Sequence, residues 1–234
     1  MKNHFLKFGF MLAFSFTLIV FNACNGDKPT LSDNSLIVAR NIIAVNGSTD
    51  EIVSVRALAA DWNSQIIMTS IAETNFQNNG FSLQLPKSLA DKFLIPVITA
   101  YSSATITGNK DAKWGLIELV ASDEKGGMIG SFNLAGGVDL ENRTGTIARW
   151  YYVDSDITIK GEFQLVGGPT TKAIVNLTLK KGWNIVYYST TVENNIAVLK
   201  TTTQRPSGIL IWTYAAWDDI PLPMHFSLNS LFDR

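Results

Sequence analysis

The chain has 234 residues, of which 46% are hydrophobic and 17% charged, and its formal net charge is −1. Its basic residues are scattered, with only Lys180-Lys181 adjacent, and this excludes a phosphate-backbone binder, which needs clustered Lys and Arg. The only cysteine is Cys24, so no intramolecular disulfide can form and stability must come from a core.

The chain opens with Lys2, His4 and Lys7, followed by an uncharged, apolar-rich run from Phe8 to Phe21 that ends at Asn22-Ala23-Cys24. A basic start, a short apolar stretch and a small residue at the cut make a secretion signal. The run falls short of the roughly 17–25 apolar residues needed to cross a bilayer, so residues 1–23 are expected to be removed. Without Lys2 and Lys7, 17 basic residues face 20 acidic ones, a balance of −3.

The stretch Phe21-Asn22-Ala23-Cys24 resembles the lipobox of bacterial lipoproteins, although Phe21 stands where Leu is usual and Asn22 is polar. The resemblance implies that Cys24 becomes the acylated N-terminus and anchors the protein without a transmembrane helix. The alternative is ordinary signal cleavage that leaves Cys24 a free thiol. By resemblance to Gram-negative lipoproteins, Asn25 after the cysteine implies sorting to the outer membrane, with the periplasmic and the outer face both open. Residues 24–35 are polar and turn-forming and read as a flexible tether.

From residue 36 onward, strand signals dominate: short segments rich in Val, Ile, Thr and aromatics, broken by Gly, Asn, Asp or Pro. A first group is expected near Leu36–Val45, Glu51–Ala59, Gln65–Ile71 and Phe81–Leu85. Ser88–Leu94 is the one plausible helical piece, with Ser88 able to cap it. A second group is expected near Leu116–Ala121, Met128–Leu134, Gly145–Val153, Asp156–Phe163, Ala173–Leu179, Trp183–Thr190, Ile196–Thr203 and Ile209–Ala215. In Asp156–Phe163 the residues Ile157, Ile159 and Phe163 alternate with Thr158, Lys160 and Glu162, which is the period of a half-buried strand. The turn Lys180-Lys181-Gly182 predicts a hairpin between the strands that flank it.

The pattern predicts an all-β protein of antiparallel sandwiches. Apolar periodicity lapses between Ser102 and Lys113, which divides the chain into residues 36–101, 113–217 and an irregular tail, 218–234; a single two-sheet sandwich is the alternative. Gly80-Phe81-Ser82-Leu83-Gln84-Leu85-Pro86, with a helical turn behind it, resembles the Ig-like or transthyretin-like modules of exported bacterial lipoproteins. The second group resembles the aromatic-rich β-domains, sandwich or meander barrel, of uncharacterised lipoproteins from Bacteroidota-type bacteria. That likeness implies no established activity.

Catalytic signals are sparse. His225 is the only imidazole beyond the signal, no Gly-x-Ser-x-Gly elbow is present, and no Cys/His cluster offers zinc ligands. Asp154-x-Asp156 could bind calcium but lacks the spaced oxygen ligands of an EF-hand, and a solvated turn is the better reading. Gly126-Gly127 and Gly136-Gly137 open no helix and so cradle no phosphate. No cofactor is expected.

The aromatics lean towards function. Of 19 beyond the signal, 14 follow Lys110, including Trp150-Tyr151-Tyr152, Tyr187-Tyr188 and Trp212-x-Tyr214. Adjacent residues on a strand point to opposite faces, so some rings are either exposed or under a second layer. An exposed set drawn from Trp150, Tyr152, Tyr188, Trp212 and Trp217 would form a stacking surface. The expected function is a non-catalytic binding or structural module, lipid-anchored at the membrane, for a glycan or a protein partner. A carboxylate-based glycoside hydrolase is the alternative. Replacing Cys24 by Ser should move the protein from the membrane to the soluble fraction, and unchanged sedimentation with membranes would count against acylation.

Overall fold

A computed structural model describes residues 34–62, 67–101, 104–139, 144–165, 171–193 and 196–217. The expected signal, tether start and tail, with His225, lie outside them. Fifteen strands follow: β1 (Leu36–Arg40), β2 (Ile43–Asn46), β3 (Ser54–Asp61), β4 (Ile67–Asn75), β5 (Gly80–Gln84), β6 (Ile95–Pro96), β7 (Thr105–Gly108) and β8 (Lys113–Ser122) come first. Then come β9 (Met128–Asp139), β10 (Thr144–Val153), β11 (Ile157–Leu165), β12 (Thr171–Leu179), β13 (Gly182–Glu193), β14 (Ile196–Thr202) and β15 (Ile211–Ala216). The expected helical piece contracts to a 3-10 turn at Asp91–Phe93, and a single helical turn, α1 (Val97–Ala100), follows Pro96. The protein is all-β and sandwich-like, with no closed barrel among the described residues.

Strand by strand, burial follows the side-chain alternation. In β1, Ile37 and Ala39 are buried while Leu36 and Val38 face solvent. In β5, Phe81 and Leu83 are buried while Ser82 and Gln84 are exposed. The two pair antiparallel as a separate ribbon, Leu36 opposite Gln84 and Arg40 opposite Gly80. A Cβ on Gly80 would collide with the backbone of Ala39, so the ribbon needs glycine at that crossing. In β8, only Lys113 and Glu118 of ten residues escape full burial. That near-continuous apolar run is what a strand covered on both faces requires.

The strands β8, β9 and β10 pair with one another in a ring of three. The end of β8 pairs with the start of β9, Leu119 opposite Phe132. The end of β9 pairs with the start of β10, Leu134 opposite Ala148. The end of β10 returns to the start of β8, Tyr152 opposite Gly115. Each strand therefore changes partner along one edge, β8 between Ile117 and Leu119, β9 between Phe132 and Leu134, and β10 between Ala148 and Trp150. From this junction one arm runs through β3 and β4 and another through β15 and β2. A third runs through β13, β14, β12 and β11 to β7.

Two apolar cores back onto the two faces of β8, β10 and β13. Ile117, Leu119, Trp150, Tyr152 and Trp183 enter the first, with Phe81, Leu83, Phe132 and Tyr214. Trp114, Leu116, Tyr151, Val153 and Val186 enter the second, with Ile157, Ile159, Val175, Leu177 and Leu179.

Two expectations change. The interval 102–113 does not divide the strands, because β3 pairs with β8, β6 with β8 and β2 with β15 across it. The described residues from Asn34 onward belong to one compact unit. The turn at 180–182 also closes no hairpin. β14 lies between β12 and β13, parallel to the former and antiparallel to the latter, so the two strands part from their shared corner. Asn184, buried, holds that corner: its Oδ1 accepts from the Lys180 amide at 2.9 Å and its Nδ2 donates to the carbonyls of Lys180 and Gly182 at 2.7 and 2.9 Å.

Gly130 in β9 sits where an added Cβ would strike the Tyr214 ring and the Ala215 carbonyl. Gly130→Ala should cost roughly 1–3 kcal/mol through overpacking, read as a lower urea midpoint at unchanged m-value.

Candidate functional site

The five aromatics expected to form an exposed surface are divided by the fold. Trp150 and Tyr152 are buried in the first core, and Trp212 packs against it. Trp150 and Trp212 stack with centroids 5.6 Å apart and planes 16° from parallel, and Phe81 meets Trp212 edge-on at 5.5 Å. Tyr152 meets Trp183 edge-on at 5.4 Å, and the Trp183 indole N–H donates to the Pro86 carbonyl at 2.7 Å. Tyr188 faces the second core instead. Trp217 follows β15, where its backbone amide donates to the Ile129 carbonyl at 3.1 Å. The alternation places Tyr151 opposite Trp150 and Tyr152, as the sequence implies. Each face of β10 is covered by its own core, however, so these rings are packing groups and do not form one stacking surface.

On the second face the rings carry hydroxyls that need partners. The Tyr151 and Tyr188 hydroxyls lie 2.5 Å apart. Trp114 lies between Tyr101 and Tyr151, 5.2 Å from the first and 4.9 Å from the second. Burial pushes all three phenols above their ordinary value, and for Tyr188 the neighbouring Tyr151 and Tyr101 add to it. The Tyr151–Tyr188 pair lets two polar rings occupy an apolar core, because each buried O–H that stays unpaired would cost about 1–3 kcal/mol. Nearby, Arg149 donates to Asn133 Oδ1 at 2.5 Å.

The acidic pairs are structural. Asp154 Oδ1 accepts from the Lys113 amide at 3.0 Å and from the Ser155 hydroxyl at 2.7 Å. Asp156 accepts from the Lys181 amide and pairs with Lys180 at 2.8 Å, contacts that hold its carboxyl below the usual range. The two fasten the corner before β11 to its neighbours, which uses the oxygens a cation would need. Asp123 Oδ1 accepts from the amides of Lys125 and Gly127 at 2.9 and 2.7 Å, closing the β8–β9 turn. That turn and Asp50, Glu51 and Val53 line an open depression with Glu124 and Lys125. Among the described residues, no group of three or more His, Cys, Asp or Glu could hold a metal ion. Nor is any helix among them long and apolar enough to cross a membrane.

What the aromatic reading missed is aliphatic. Leu36 and Val38 on β1 are 50% and 44% exposed, and Ile43 and Val45 on β2 are 52% and 63% exposed. Each of these strands pairs along one edge only among the described residues, β1 with β5 and β2 with β15. The signal was present in Leu36-Ile37-Val38-Ala39-Arg40-Asn41-Ile42-Ile43-Ala44-Val45. A strand apolar at nearly every position must either be covered on both faces or expose apolar side chains. The N-terminal edge is thus the candidate contact surface. No protein-family model, curated protein or solved structure matches this chain.

The phenols set an alkaline limit on stability. Their folded values lie above the unfolded value of about 10, so the stability they carry is fully present below pH 10 and drains away as pH rises beyond it. Each buried phenol held neutral should cost about 1.4 kcal/mol per pH unit above that point. The unfolding free energy of the parent protein should therefore fall more steeply between pH 10 and 11 than that of the Tyr151→Phe, Tyr188→Phe double variant; equal slopes would show that these hydroxyls do not titrate with unfolding.

Proposed function

We propose that the chain is a lipid-anchored protein of the bacterial cell envelope, attached through Cys24 to the outer membrane, that serves as a non-catalytic binding or structural module for a protein partner. The observation that carries this reading is the allocation of apolar surface. Trp150, Tyr152, Tyr188 and Trp212, four of the five rings that could have stacked on a glycan, are engaged in two cores, whereas aliphatic side chains of β1 and β2 stand exposed beside strand edges that have no partner strand among the described residues. A free strand edge offers backbone donors and acceptors in a fixed register, and exposed aliphatic groups beside it add area to bury. Such edges accept an extended segment of a partner as a further strand. The net negative charge and scattered basic residues argue against nucleic acid.

A photo-crosslinking residue placed at Val38 or Val45 should capture a discrete envelope protein in living cells, while the same residue at the exposed Lys160 on β11 should not. Lys at position 38 or 45 should reduce the capture, because charge on an edge opposes strand addition. Equal labelling at all three positions, or specific retention on envelope or dietary polysaccharide with no protein adduct, would overturn the reading.

A further inference from the structure

The exchange of partners in the ring of β8, β9 and β10 turns on one residue in each strand. Glu118 lies between Ile117, which pairs with β10, and Leu119, which pairs with β9. Asn133 lies between Phe132, paired with β8, and Leu134, paired with β10. Arg149 lies between Ala148, paired with β9, and Trp150, paired with β8. All three are polar, whereas their neighbours Ile117, Leu119, Phe132 and Trp150 are buried in the first core. Side chains alternate along a strand, so Glu118, Asn133 and Arg149 stand together on the opposite face of the junction. Each is half-buried there. Leu58, opposite Glu118, is buried on that face and belongs to neither core, as are Val120 and Ala135, two residues along from Glu118 and Asn133. Convergent polar groups ringed by apolar ones are the anatomy of a small-molecule site.

A guanidinium only donates, so the Arg149 bond at 2.5 Å sets the Asn133 oxygen toward Arg149 and leaves the Asn133 amide nitrogen as a donor. Glu118 and Arg149 carry opposite charges on adjoining strands, where side chains of their length can meet. Among the described residues, however, no ion pair includes either of them. A half-buried cation and a half-buried anion held apart each give up hydration without gaining a counter-charge. A ligand that brings both signs restores both at once. We propose that Glu118, Asn133 and Arg149 bind the charged end of a free α-amino acid: Arg149 and Asn133 donate to its carboxylate, and Glu118 accepts from its ammonium. The two charges of such a ligand sit on one carbon, so a single small molecule meets all three strands, which an ion of one sign does not. Leu58, Val120 and Ala135 favour an aliphatic side chain on it. The site uses neither the edge of β1 nor that of β2, and stands independently of the protein partner proposed for them.

Titration of the mature chain carrying Cys24→Ser with L-leucine, followed by amide chemical shifts, tests the assignment. Saturable shifts should centre on Glu118, Asn133 and Arg149. Leucinamide, which lacks the carboxylate, and N-acetyl-leucine, which lacks the ammonium, should each bind about tenfold more weakly, the loss of one charge-assisted contact. Glu118→Gln should weaken leucine about tenfold and leave N-acetyl-leucine unchanged. Arg149→Gln should weaken leucine and N-acetyl-leucine while sparing leucinamide. If Arg149→Gln does not fold, leucine against its two derivatives on the parent chain still decides the matter. No saturable shift with leucine or glycine, shifts confined to other strands, or equal binding of leucine and both derivatives would overturn the site. So would a loss of stability in ligand-free Glu118→Gln that vanishes in the Arg149→Gln background, because the two charges would then be paired with each other. Crosslinking at Val38 and Val45 reports on the protein partner separately from all these outcomes.

Discussion

The fold depends on three strands that are apolar on both faces. Because β8, β10 and β13 alternate between two cores, neither core can form without the other, and the usual division of a strand into a wet and a dry side does not apply to them. The sequence carries the cost openly in Trp150-Tyr151-Tyr152-Val153 and Trp114-Gly115-Leu116-Ile117, where nearly every position is apolar or aromatic. Large rings suit this position because each fills much of the roughly 10 Å between packed layers. Where a ring also brings a hydroxyl inside, as Tyr151 and Tyr188 do, the two hydroxyls satisfy one another.

The ring of β8, β9 and β10 is what makes two such cores compatible. A regular sheet keeps each strand with one neighbour per edge. Here each strand passes from one neighbour to another partway along, so the sheet divides and its arms can fold over opposite faces. Glycines mark the approach: Gly115, whose Cβ would meet the Phe93 carbonyl and the Leu89 side chain, and Gly130 against Tyr214. In both, the missing side chain is the space that a neighbouring layer occupies.

Most strands were legible in the sequence because side-chain alternation is local. Asp156–Phe163 and Ala173–Leu179 show it cleanly: β11 begins one residue into the first, and β12 contains the second. Pairing was not legible. The separation into two groups followed a real lapse in apolar pattern, yet β7 forms within it at Thr105–Gly108, and β3 finds its partner in β8 on the far side. Lys180-Lys181-Gly182 has hairpin chemistry, but whether two adjacent strands pair is decided by a third, β14, supplied 14 residues later. The aromatic positions were legible as facing both ways, whereas the layer over each face was not, since coverage is a property of distant segments. The exposed edge at Leu36–Val45 was legible in its apolar residues, which only Arg40 and Asn41 interrupt.

The pairing of β2 with β15 joins residues about 170 positions apart. A chain that emerges from the ribosome with its N-terminus first presents Ile43-Ala44-Val45 before β3 to β14, and the partner of that strand emerges after them. β1 waits only for β5, some 40 residues on, so the ribbon can close early while β2 stays unsealed. During synthesis, therefore, one of the earliest strands to arrive is among the last to be completed, and for that interval the chain carries an unsealed apolar strand that waits for β15.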